Sequence, residues 1–569
     1  MRVIDFFRLI GYLFLLLVSV GVLLGFLPVV LILSVVFWVP FGIGSAFSSR
    51  KVSSRESSPR TAAKRVAVVG AGVAGLQTAR SLREANIEVK VFDKASAPGG
   101  VWRENYADYS LQVPGALYEF PGYTYKDAGL NFWWGFPDGP TVQKYILSYV
   151  KYAGLSEVLA LNTQVETTER RADKSNGWTV TSKNVVTGEQ IVEDFDYVVV
   201  ATGMYSTPFI PQYKGLDSFA GKTYHSSQFT DAKLAEGKRT LVVGAGKSAA
   251  DVAVAANNVS ENVTLLSRKA HWPVPRYLLF LVPFKFGTYS RFGHAFLPLH
   301  HDPSWFQKIL HVIGAPVVWL FWRVVEVLII CQFRLTSKLV PSEKLEKDLF
   351  TGGVLLKYDL TNRVNSGKIA LEISEIENFT STGVVLKGGK AIDVDVVVFA
   401  TGFTKEYGYL PVGEKDKLGL QDDGLYLYNQ ILPPRIPGLA YIGAEVSTFN
   451  NILTHGLQAE WLAGVLTGKI HLPTIEAQEA HVKKVQEWKR AWMPKISSRG
   501  AIVQLHMLKY HDDLVRELGQ SPYRKLAENF GGKLNPWNYV TEFLSPYEAN
   551  DYKKLFPAPA KKVDVVVQA

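Results

Sequence analysis

Cysteine is nearly absent from this 569-residue sequence, and charged residues are scarce. Cys331 is the only cysteine, which excludes a disulfide scaffold, a CxxC redox pair and a thiolate-rich zinc site. Charged residues make up 20% of the chain, against 47% hydrophobic and 12% aromatic residues. That balance excludes intrinsic disorder and favours a large buried core. The length corresponds to roughly two to four domains.

The few charges are unevenly distributed. Lysine and arginine outnumber aspartate and glutamate by 62 to 52, which gives a net charge of +10. Residues 1–65 carry a net +6 and residues 268–340 a net +7, so the remaining chain is slightly acidic at −3. Both basic stretches are also the most apolar, and neither contains a nucleic-acid recognition motif. The basicity therefore favours membrane lipid, and not nucleic acid, as a partner.

Residues 9–49 contain no charged side chain. This run far exceeds the ~20 residues that one membrane span needs, and it is too long for the apolar part of a secretory signal. Gly25 and Pro28 interrupt it, which fits either one kinked span or a helical hairpin. We therefore expect a membrane anchor over 1–49 and a polar linker over 50–64. The body would lie in the cytosol, at the endoplasmic reticulum, another endomembrane or a lipid droplet.

A second apolar stretch, residues 315–333, approaches the length of a span but contains Arg323 and Glu326. These two residues are three apart, so on a helix they share a face and can pair. Two charges at mid-bilayer would each cost roughly 2.5–3.5 kcal/mol. The sequence therefore favours an interfacial helix or a hydrophobic lid, within a membrane-proximal insert over 277–340, over a true span. An ordinary buried helix is an equal alternative.

The body opens with a β-branched strand that runs into the glycine fingerprint Gly70-x-Gly72-x-x-Gly75 and then into helix-favouring residues. The first glycine permits a tight turn, the second lets the backbone approach a pyrophosphate, and the third allows close packing of helix on strand. The next strand ends in Asp93, whose carboxylate can accept hydrogen bonds from ribose hydroxyls. Strand, turn, helix and carboxylate together predict a dinucleotide site that suits FAD.

The same pattern recurs with Gly244 and Gly246, where Ala249 takes the place of the third glycine. The strand that follows ends in Arg268 instead of an acid. A guanidinium binds a ribose 2′-phosphate that a carboxylate would repel, so we predict that this second site prefers NADPH to NADH. The other side chains expected to contact the nucleotide here are Lys247, Ser248 and Ser267.

Two more segments match each other, because each reads as a buried strand that ends in Ala-Thr-Gly, at Thr202 and at Thr401-Gly402. Such a turn closes a nucleotide-binding sheet and lets the chain cross to another domain. The sequence thus predicts an α/β fold with two Rossmann-like dinucleotide-binding domains, the NADPH domain inserted within the FAD domain and the anchor before both. The expected ranges are 65–205 and 346–471 for the FAD domain, 206–345 for the NADPH domain and 472–569 for a C-terminal extension.

Between the two sites, Phe219, Gly221, His225 and Phe229 are spaced F-x-G-x-x-x-H-x-x-x-F. This segment closely resembles the signature of flavin-containing monooxygenases, and the resemblance runs from about residue 66 into the 510s. The related Baeyer–Villiger enzymes usually end the motif in tryptophan, so the final phenylalanine favours the N- and S-oxygenating branch. The resemblance implies a catalytic role for His225.

Residues 98–102 resemble the Gly-Gly-x-Trp segment that contacts the flavin in this family, which implies that Gly99, Gly100 and Trp102 lie near FAD. Animal members carry an asparagine a few residues further on, where this chain has Pro114. Because proline has no side-chain donor, Gln112 or a backbone group would have to replace it as a catalytic donor. The auxin-forming plant monooxygenases are similar to this chain at that point.

The resemblance also implies a mechanism and its partners. NADPH reduces FAD, O2 adds to the reduced flavin at C4a, and NADP+ helps to protect the hydroperoxide. One oxygen then passes to a nucleophilic N or S atom, or to an activated carbonyl, of a small lipophilic substrate. A membrane-bound NADPH:quinone-type reductase and a non-catalytic flavin-binding membrane protein are the alternatives. A metal site is not expected, because the doublet His300-His301 beside Asp302 has no spaced partners and is typical of a polar loop.

Overall fold

The structure is a computed structural model, and it leaves the expected anchor and linker, residues 1–64, outside the part that it describes. The described residues are 65–130, 135–173, 176–280, 282–336, 338–349, 354–355, 359–529 and 536–556. The fold statements below concern these ranges.

The chain begins its described part with alternating strands and helices, followed by a small antiparallel sheet. These elements are β1 (Arg65–Val69), α1 (Val73–Glu84), β2 (Glu88–Phe92), α2 (Gly139–Tyr152), β3 (Leu159–Ala160), β4 (Thr163–Arg170), β5 (Trp178–Asn184), β6 (Gln190–Phe195) and β7 (Tyr197–Val200).

The second group of elements contains another β–α–β unit, an insert that is mostly helical, and a return to the sheet. These elements are β8 (Thr207–Pro208), β9 (Lys222–His225), β10 (Arg239–Val243), α3 (Lys247–Ala256), β11 (Asn262–Ser267), β12 (Pro273–Val274), β13 (Tyr277–Leu278), β14 (Val282–Pro283), α4 (Lys285–Thr288), α5 (Arg291–His294), α6 (Trp305–Phe333), α7 (Leu345–Asp348), β15 (Val354–Leu355), α8 (Asp359–Asn365), β16 (Ile369–Ile373), β17 (Ile376–Phe379), β18 (Gly383–Leu386), β19 (Ala391–Asp393) and β20 (Val396–Phe399).

The last group returns to the first domain and then continues into a helical extension. These elements are β21 (Phe403–Thr404), α9 (Val412–Lys417), β22 (Leu439–Tyr441), α10 (Asn451–Leu466), α11 (Ile475–Trp492), α12 (Met507–Glu517), α13 (Arg524–Asn529) and α14 (Pro536–Leu544).

Two five-stranded parallel sheets carry the fold. The first has the order β22-β7-β1-β2-β3 and the second the order β16-β11-β10-β20-β9. In each, the fingerprint strand, β1 or β10, lies at the centre and pairs with the strand that ends in Ala-Thr-Gly, β7 or β20. Parallel strands buried on both faces require continuous apolar sequence, which the buried runs Tyr197–Val200 and Val396–Phe399 provide. The predicted pair of Rossmann-like domains is confirmed.

The predicted domain boundary at residues 345/346 is wrong. Both β16 and β20 belong to the second sheet, so the inserted domain continues to about residue 400. The first sheet is completed only by β22, after the chain has crossed back. Each Ala-Thr-Gly turn therefore closes its own sheet. The expectation that residues 346–471 as a whole belong to the FAD domain overlooked this, because strand partners are set by long-range pairing and not by local pattern.

Helix α6 accounts for the second apolar stretch and begins ten residues earlier than the run 315–333. Its N-terminal half is exposed, with Val312 at 73% and Ile313 at 71% of their surface accessible, whereas Leu328 and Phe333 near its C-terminus are buried. The buried interpretation thus describes the C-terminal half of the helix, and the interfacial interpretation stays a prediction for the exposed half. Within the described residues, this helix is the one whose length and composition would allow it to cross a membrane, over Gln307–Phe333.

The predicted pair of charges on α6 is confirmed. The Arg323 guanidinium lies 3.0 Å from the Glu326 carboxylate and also contacts Glu346. Glu326 in turn accepts a hydrogen bond of 2.8 Å from the backbone N–H of Leu345. These bonds hold the buried half of α6 on α7, and so keep the charges on the protein side of the helix.

The helical extension is packed on the body, as expected, and it is tied to the insert by a buried ion cluster. The Arg291 guanidinium on α5 donates to Asp512 on α12 at 2.8 and 3.1 Å and to Glu542 on α14 at 2.7 Å. All three side chains are at most 5% exposed. Removing one partner of such a cluster leaves an uncompensated buried charge, so the insert and the extension form one structural unit.

Candidate cofactor sites and the cleft between them

The first glycine fingerprint leaves no room for side chains. Gly70 has φ = +112°, and a Cβ there would lie 2.6 Å from the carbonyl oxygen of Ala201 in the first Ala-Thr-Gly turn. A Cβ on Gly75 would lie 1.8 Å from the carbonyl oxygen of Gly70. The turn and the close packing of α1 on β1 therefore require glycine at both positions, as the fingerprint predicted.

The Gly-Gly-x-Trp turn lies directly over this fingerprint. The backbone N–H of Gly99 donates to the carbonyl oxygen of Ala71 at 2.9 Å. A Cβ on Gly100 would lie 3.2 Å from Cα of Gly72. Bare backbone thus lines a narrow groove at the N-terminus of α1, where the unpaired N–H groups and the helix dipole favour a phosphate.

Asp93 lies at the C-terminal end of β2, as predicted, and it organises the turn. One carboxylate oxygen accepts from the backbone N–H of Ala71 at 2.7 Å and the other from that of Ala95 at 2.8 Å. Each oxygen keeps a further lone pair. The carboxylate can therefore shape the loop and still accept a hydrogen bond from a ribose hydroxyl.

His455, on the first turn of α10, is buried beside this groove. Neither of its ring nitrogens has a hydrogen-bond partner among the described residues, although the side chain is only 5% exposed. Burial lowers the pKa of His455 to about 3. Its ring lies against Gly443 and close to Ala74 of α1. A buried imidazole without partners is costly, and a bound group with hydroxyl or phosphate oxygens would satisfy it, so the residues fit FAD.

The second fingerprint repeats this geometry with more space. Gly244 has φ = +146°, and a Cβ there would lie 2.4 Å from the carbonyl oxygen of Ala400 in the second Ala-Thr-Gly turn. The same Cβ would lie 3.2 Å from Cβ of Ala249, so alanine fits where the first domain needs glycine. No described atom lies within 4 Å of a Cβ on Gly246. The N-terminus of α3 is therefore open to a nucleotide.

The side chains at the end of β11 have the predicted arrangement. Arg268 is exposed, whereas Ser267 before it is buried, with 7% of its surface accessible. An exposed guanidinium at this strand end suits a 2′-phosphate. The second site fits NADPH.

The side chains of Lys247 and Ser248 bond to other side chains of the protein. The Lys247 ammonium pairs with Asp251 one turn further along α3, and Asp251 also accepts from the Tyr106 hydroxyl at 3.2 Å. Tyr106 bonds to Ser248 as well, and burial and Asp251 raise the pKa of its phenol well above its usual value. Lys247 thus forms an ion pair beside the helix N-terminus, and its contact with phosphate stays a prediction.

His225, from the signature segment, ends β9 and contacts the second Ala-Thr-Gly turn. Its Nδ1 accepts from the backbone N–H of Ser227 at 3.2 Å, so its Nε2–H donates to the carbonyl oxygen of Gly402 at 2.8 Å. Burial lowers the pKa of His225, which keeps the ring neutral. Both nitrogens are thus occupied, and the ring also packs edge-on against Phe403 at 4.9 Å. The geometry gives His225 a positioning role at the second turn.

Strands β8 and β21 cross between the domains, because each follows one Ala-Thr-Gly turn and they pair with each other. The Thr401 hydroxyl adds a hydrogen bond to the carbonyl oxygen of Phe209. In the first turn, Thr202 lies against the hydroxyl of Tyr409. Both turns are therefore fixed beside the same cleft.

Aromatic side chains line this cleft. The indole N–H of Trp102 donates to the Tyr118 hydroxyl at 3.0 Å. Tyr205 is half-exposed, with 52% of its surface accessible. Its hydroxyl bonds to the side chain of Ser447. Gln112 is half-buried, two residues before the buried Pro114, and no hydrogen bond joins its amide to the described residues. The amide remains available as a donor.

Sequence reasoning missed Tyr118, Tyr205, Ser447 and His455. Tyr205 had a signal, since it follows the first Ala-Thr-Gly turn by two residues. His455 had none, because a single histidine in an apolar helix is typical of a packed core. Its position beside α1 depends on the contact between α10 and α1, which the sequence pattern does not encode.

Comparison with known proteins gives one family. The model of the flavin-binding monooxygenase-like family matches residues 63–527. Flavin-containing monooxygenase 3 of Homo sapiens is 27% identical over 483 residues, which cover 81% of this chain and 83% of the human protein.

Two solved structures have the same fold. One is S-allyl-L-cysteine S-oxygenase from Allium sativum, with a TM-score of 0.57, 19% identity and coverage of 83% of this chain and 94% of that one. The other is the NADP+-bound cyclohexanone monooxygenase from Rhodococcus sp. Phi1, with a TM-score of 0.60, 20% identity and coverage of 81% and 98%. One fold thus serves an S-oxygenase and a cyclohexanone monooxygenase.

Proposed function

Since the chain belongs to the flavin-binding monooxygenase-like family and is an NADPH-dependent flavin monooxygenase, we propose that it oxygenates a nucleophilic N or S atom of a lipophilic substrate at a membrane surface. The observation that carries this proposal is that the two cofactor sites are joined by the paired strands β8 and β21, in a chain that also presents an exposed apolar helix face. When bound, FAD accepts a hydride from NADPH and activates O2. The small-molecule substrate and O2 are the partners.

The side chains of this protein have separate tasks in that reaction. The backbone groove at α1 and the His455 ring would hold FAD, and Arg268 would select NADPH by its 2′-phosphate. His225 keeps the second Ala-Thr-Gly turn against the signature segment through its bond to Gly402. The role proposed for it is therefore one of positioning. The effect of substituting it should be a fall in the rate of flavin reduction that does not change with pH.

Aromatic side chains beside the two turns exclude water from the cleft, which a reactive reduced cofactor requires. Trp102 and Tyr118 share a hydrogen bond, and Tyr205, after the first turn, packs edge-on against Phe403, after the second. Gln112 is the side chain proposed to supply the donor that Pro114 cannot supply. Changing Gln112 to alanine should raise H2O2 release per NADPH consumed, whereas glutamate in its place, an acceptor when ionised, should not restore the coupling.

The choice of N or S over a carbonyl carbon rests on Phe229, which ends the signature segment. Its ring is fully buried and packs edge-on against Tyr224. The relatives at 26–27% identity are flavin-containing monooxygenases.

The test gives the purified full chain NADPH and 18O2 with a long-chain thioether, a tertiary amine and a cyclic ketone. Labelled sulfoxide or N-oxide is expected. Labelled lactone without either product would overturn the proposal, and reduction of a quinone without label would favour the reductase alternative.

Membrane contact is proposed from the exposed face of α6. Val312 and Ile313 lie there with more than two thirds of their surface accessible, and Trp305 and Trp319 flank them at 69% and 55%. Such a face suits the headgroup region, where tryptophan is favoured. The predicted anchor, 1–49, would bring it to the bilayer, with the catalytic body in the cytosol.

Vesicle sedimentation tests this surface. In a chain that begins at residue 50, Val312→Glu with Ile313→Glu should release the protein from vesicles of neutral and anionic phospholipid. The matched control is Leu420→Glu, which changes a side chain of similar exposure, 70%, elsewhere on the surface. Equal release by the control would refute a specific face on α6. Release of the unmodified chain on loss of 1–49 alone would assign binding to the anchor only.

A further inference from the structure

Two histidines of the insert and one aspartate of the C-terminal extension converge outside the cofactor cleft. His300 and His301 lie in the segment between α5 and α6, and Asp513 lies on α12. One ligand atom from each, a ring nitrogen or a carboxylate oxygen, lies within 4.8 Å of the other two. Asp302, the neighbour in sequence, instead pairs with Lys484 at 3.1 Å. The third member of the cluster therefore comes from a distant part of the chain.

The converging groups do not satisfy one another. Among the described residues, no hydrogen bond or ion pair joins Asp513 to either histidine. Nδ1 of His301 is shielded from solvent and has no hydrogen-bond partner there. Arg516 donates to one oxygen of Asp513 at 2.7 Å, and the other oxygen keeps its lone pairs for a ligand.

The donor set is one that a divalent transition metal prefers. Two imidazoles and a carboxylate occur together in zinc sites, usually with a fourth position filled by water or another side chain. A neutral imidazole binds such an ion through a ring nitrogen, and the rings of His300 and His301 lie side by side with their centres 4.0 Å apart. His481 on α11 is a further candidate ligand, with its ring centre 5.5 Å from that of His301.

We propose that His300, His301 and Asp513 bind one divalent metal ion, of which Zn²⁺ fits best, and that this ion clamps the membrane-facing insert to the C-terminal extension. Bond lengths of about 2.0–2.1 Å need ligand atoms within roughly 3.5 Å of one another, so binding closes the cluster by a small rotation of side chains. Arg516 orients the carboxylate as an outer partner of the metal site. Lys509 also lies near His300, and the Asp513 carboxylate beside it offsets its positive charge.

The clamp acts on α6. His301 is only four residues before Trp305, where α6 begins. Asp513 is next to Asp512, which already holds α5 through Arg291. A metal ion would thus add a second connection between the insert and the C-terminal extension. It would also fix the direction in which α6 leaves the body.

Cobalt binding tests the site in the FAD-loaded full-length chain in detergent micelles, after removal of metal with a chelator. Co²⁺ is the probe, since its visible absorption reports tetrahedral N and O ligands, and Zn²⁺ should displace it one for one. The double variant His300→Ala/His301→Ala should weaken binding by at least about 100-fold. The matched control is His471→Ala, which removes an exposed histidine and should leave the titration unchanged.

A milder variant keeps the test decisive if the double variant does not fold. Asp513→Asn keeps an oxygen for Arg516 but removes the carboxylate charge, so FAD content should stay normal while Co²⁺ affinity falls. Zn²⁺ should also raise the midpoint of thermal unfolding in the unmodified chain and not in Asp513→Asn. The proposal is overturned if the unmodified chain binds no stoichiometric metal, or if Asp513→Asn binds as tightly.

Discussion

The two nucleotide-binding domains share a sequence motif and a topology, yet their glycine turns differ in how much space they leave for a side chain. At the third fingerprint position, the first domain would place a Cβ 1.8 Å from backbone, whereas the second domain accommodates Ala249. The Gly72 position is covered by Gly100, whereas no described atom lies within 4 Å of a Cβ on Gly246. The first site is enclosed by backbone and by His455. The second is open and carries an exposed arginine.

The enclosed first site fits a cofactor that remains bound, and the open second site fits a cofactor that is exchanged. Enclosure by backbone gives many contacts and a slow escape, which suits FAD, a cofactor that remains bound through each turnover. An open helix N-terminus with the exposed Arg268 at the end of β11 suits NADPH, a cofactor that must be exchanged. Substitutions at corresponding positions of the two domains should therefore differ in size and in which cofactor they affect.

The largest difference is expected at the third fingerprint position. Gly75→Ala forces a methyl group into the carbonyl of Gly70, so α1 must move away from β1. Overpacking of this kind costs typically 1–3 kcal/mol and here meets rigid backbone. We expect FAD affinity to fall roughly 10- to 100-fold, measured as the flavin-to-protein ratio after gel filtration.

The matched change in the second domain is Ala249→Gly. It removes one buried methyl group, so FAD content should stay at the level of the unmodified chain while stability falls by about 1 kcal/mol. Equal loss of FAD from both variants would show that the two turns are equally strained, contrary to the comparison.

The second prediction concerns the strand ends. Arg268→Ala removes the exposed guanidinium, and charge-assisted hydrogen bonds of this kind are worth roughly 1.5–3 kcal/mol. The KM for NADPH should therefore rise roughly 10- to 100-fold, whereas the KM for NADH should stay nearly constant. The neighbouring exposed Lys269→Ala is the control for a general loss of positive charge. A parallel rise of both KM values would contradict recognition of the 2′-phosphate.

The same comparison separates what sequence can and cannot predict. Both fingerprints, Asp93 and Arg268 were predictable, because a strand, a turn and the next strand are local features with fixed spacing. The boundary near residue 400 was not, since β16 and β20 find their partners only through pairing with distant strands. The exposure of one half of α6 was equally hidden, because apolar residues occupy both halves. Asp513 could not be connected with His300 and His301 from sequence, as packing alone brings them together.

Lys247 should contribute much less than Arg268 to NADPH binding, which is the third prediction. Its ammonium is already paired with Asp251 one turn away on α3, so its charge is largely neutralised where a phosphate would lie. Lys247→Met should change the KM for NADPH by less than about 3-fold. The informative partner is Asp251→Asn, which removes the negative charge paired with the ammonium and should lower the KM in the unmodified Lys247 background but not with Lys247→Met. A rise of the KM in Lys247→Met as large as that in Arg268→Ala would reverse the assignment.

The smallest effect is expected at the base of the sheets, where each fingerprint strand begins with an arginine. In the second domain, the Arg239 guanidinium donates to Asp395 at 2.8 and 3.1 Å, and these hydrogen bonds lower the pKa of Asp395 to about 2. In the first, the Arg65 guanidinium bonds instead to Glu88 and Glu193.

Because the pKa of Asp395 is lower in the folded chain than its ordinary value of about 3.9, its contribution is complete above about pH 4 and is lost as the pH falls through 2. The pair is partly exposed, so Asp395→Asn should cost under about 1 kcal/mol at pH 7, measured by urea unfolding, and the cost should shrink as the pH falls from 4 towards 2. Asp196→Asn, at the corresponding position of the first domain, should cost less at pH 7, because the Arg65 side chain keeps its glutamate partners. A loss for Asp395→Asn that stays constant down to pH 2 would mean that the ion pair does not stabilise the second sheet.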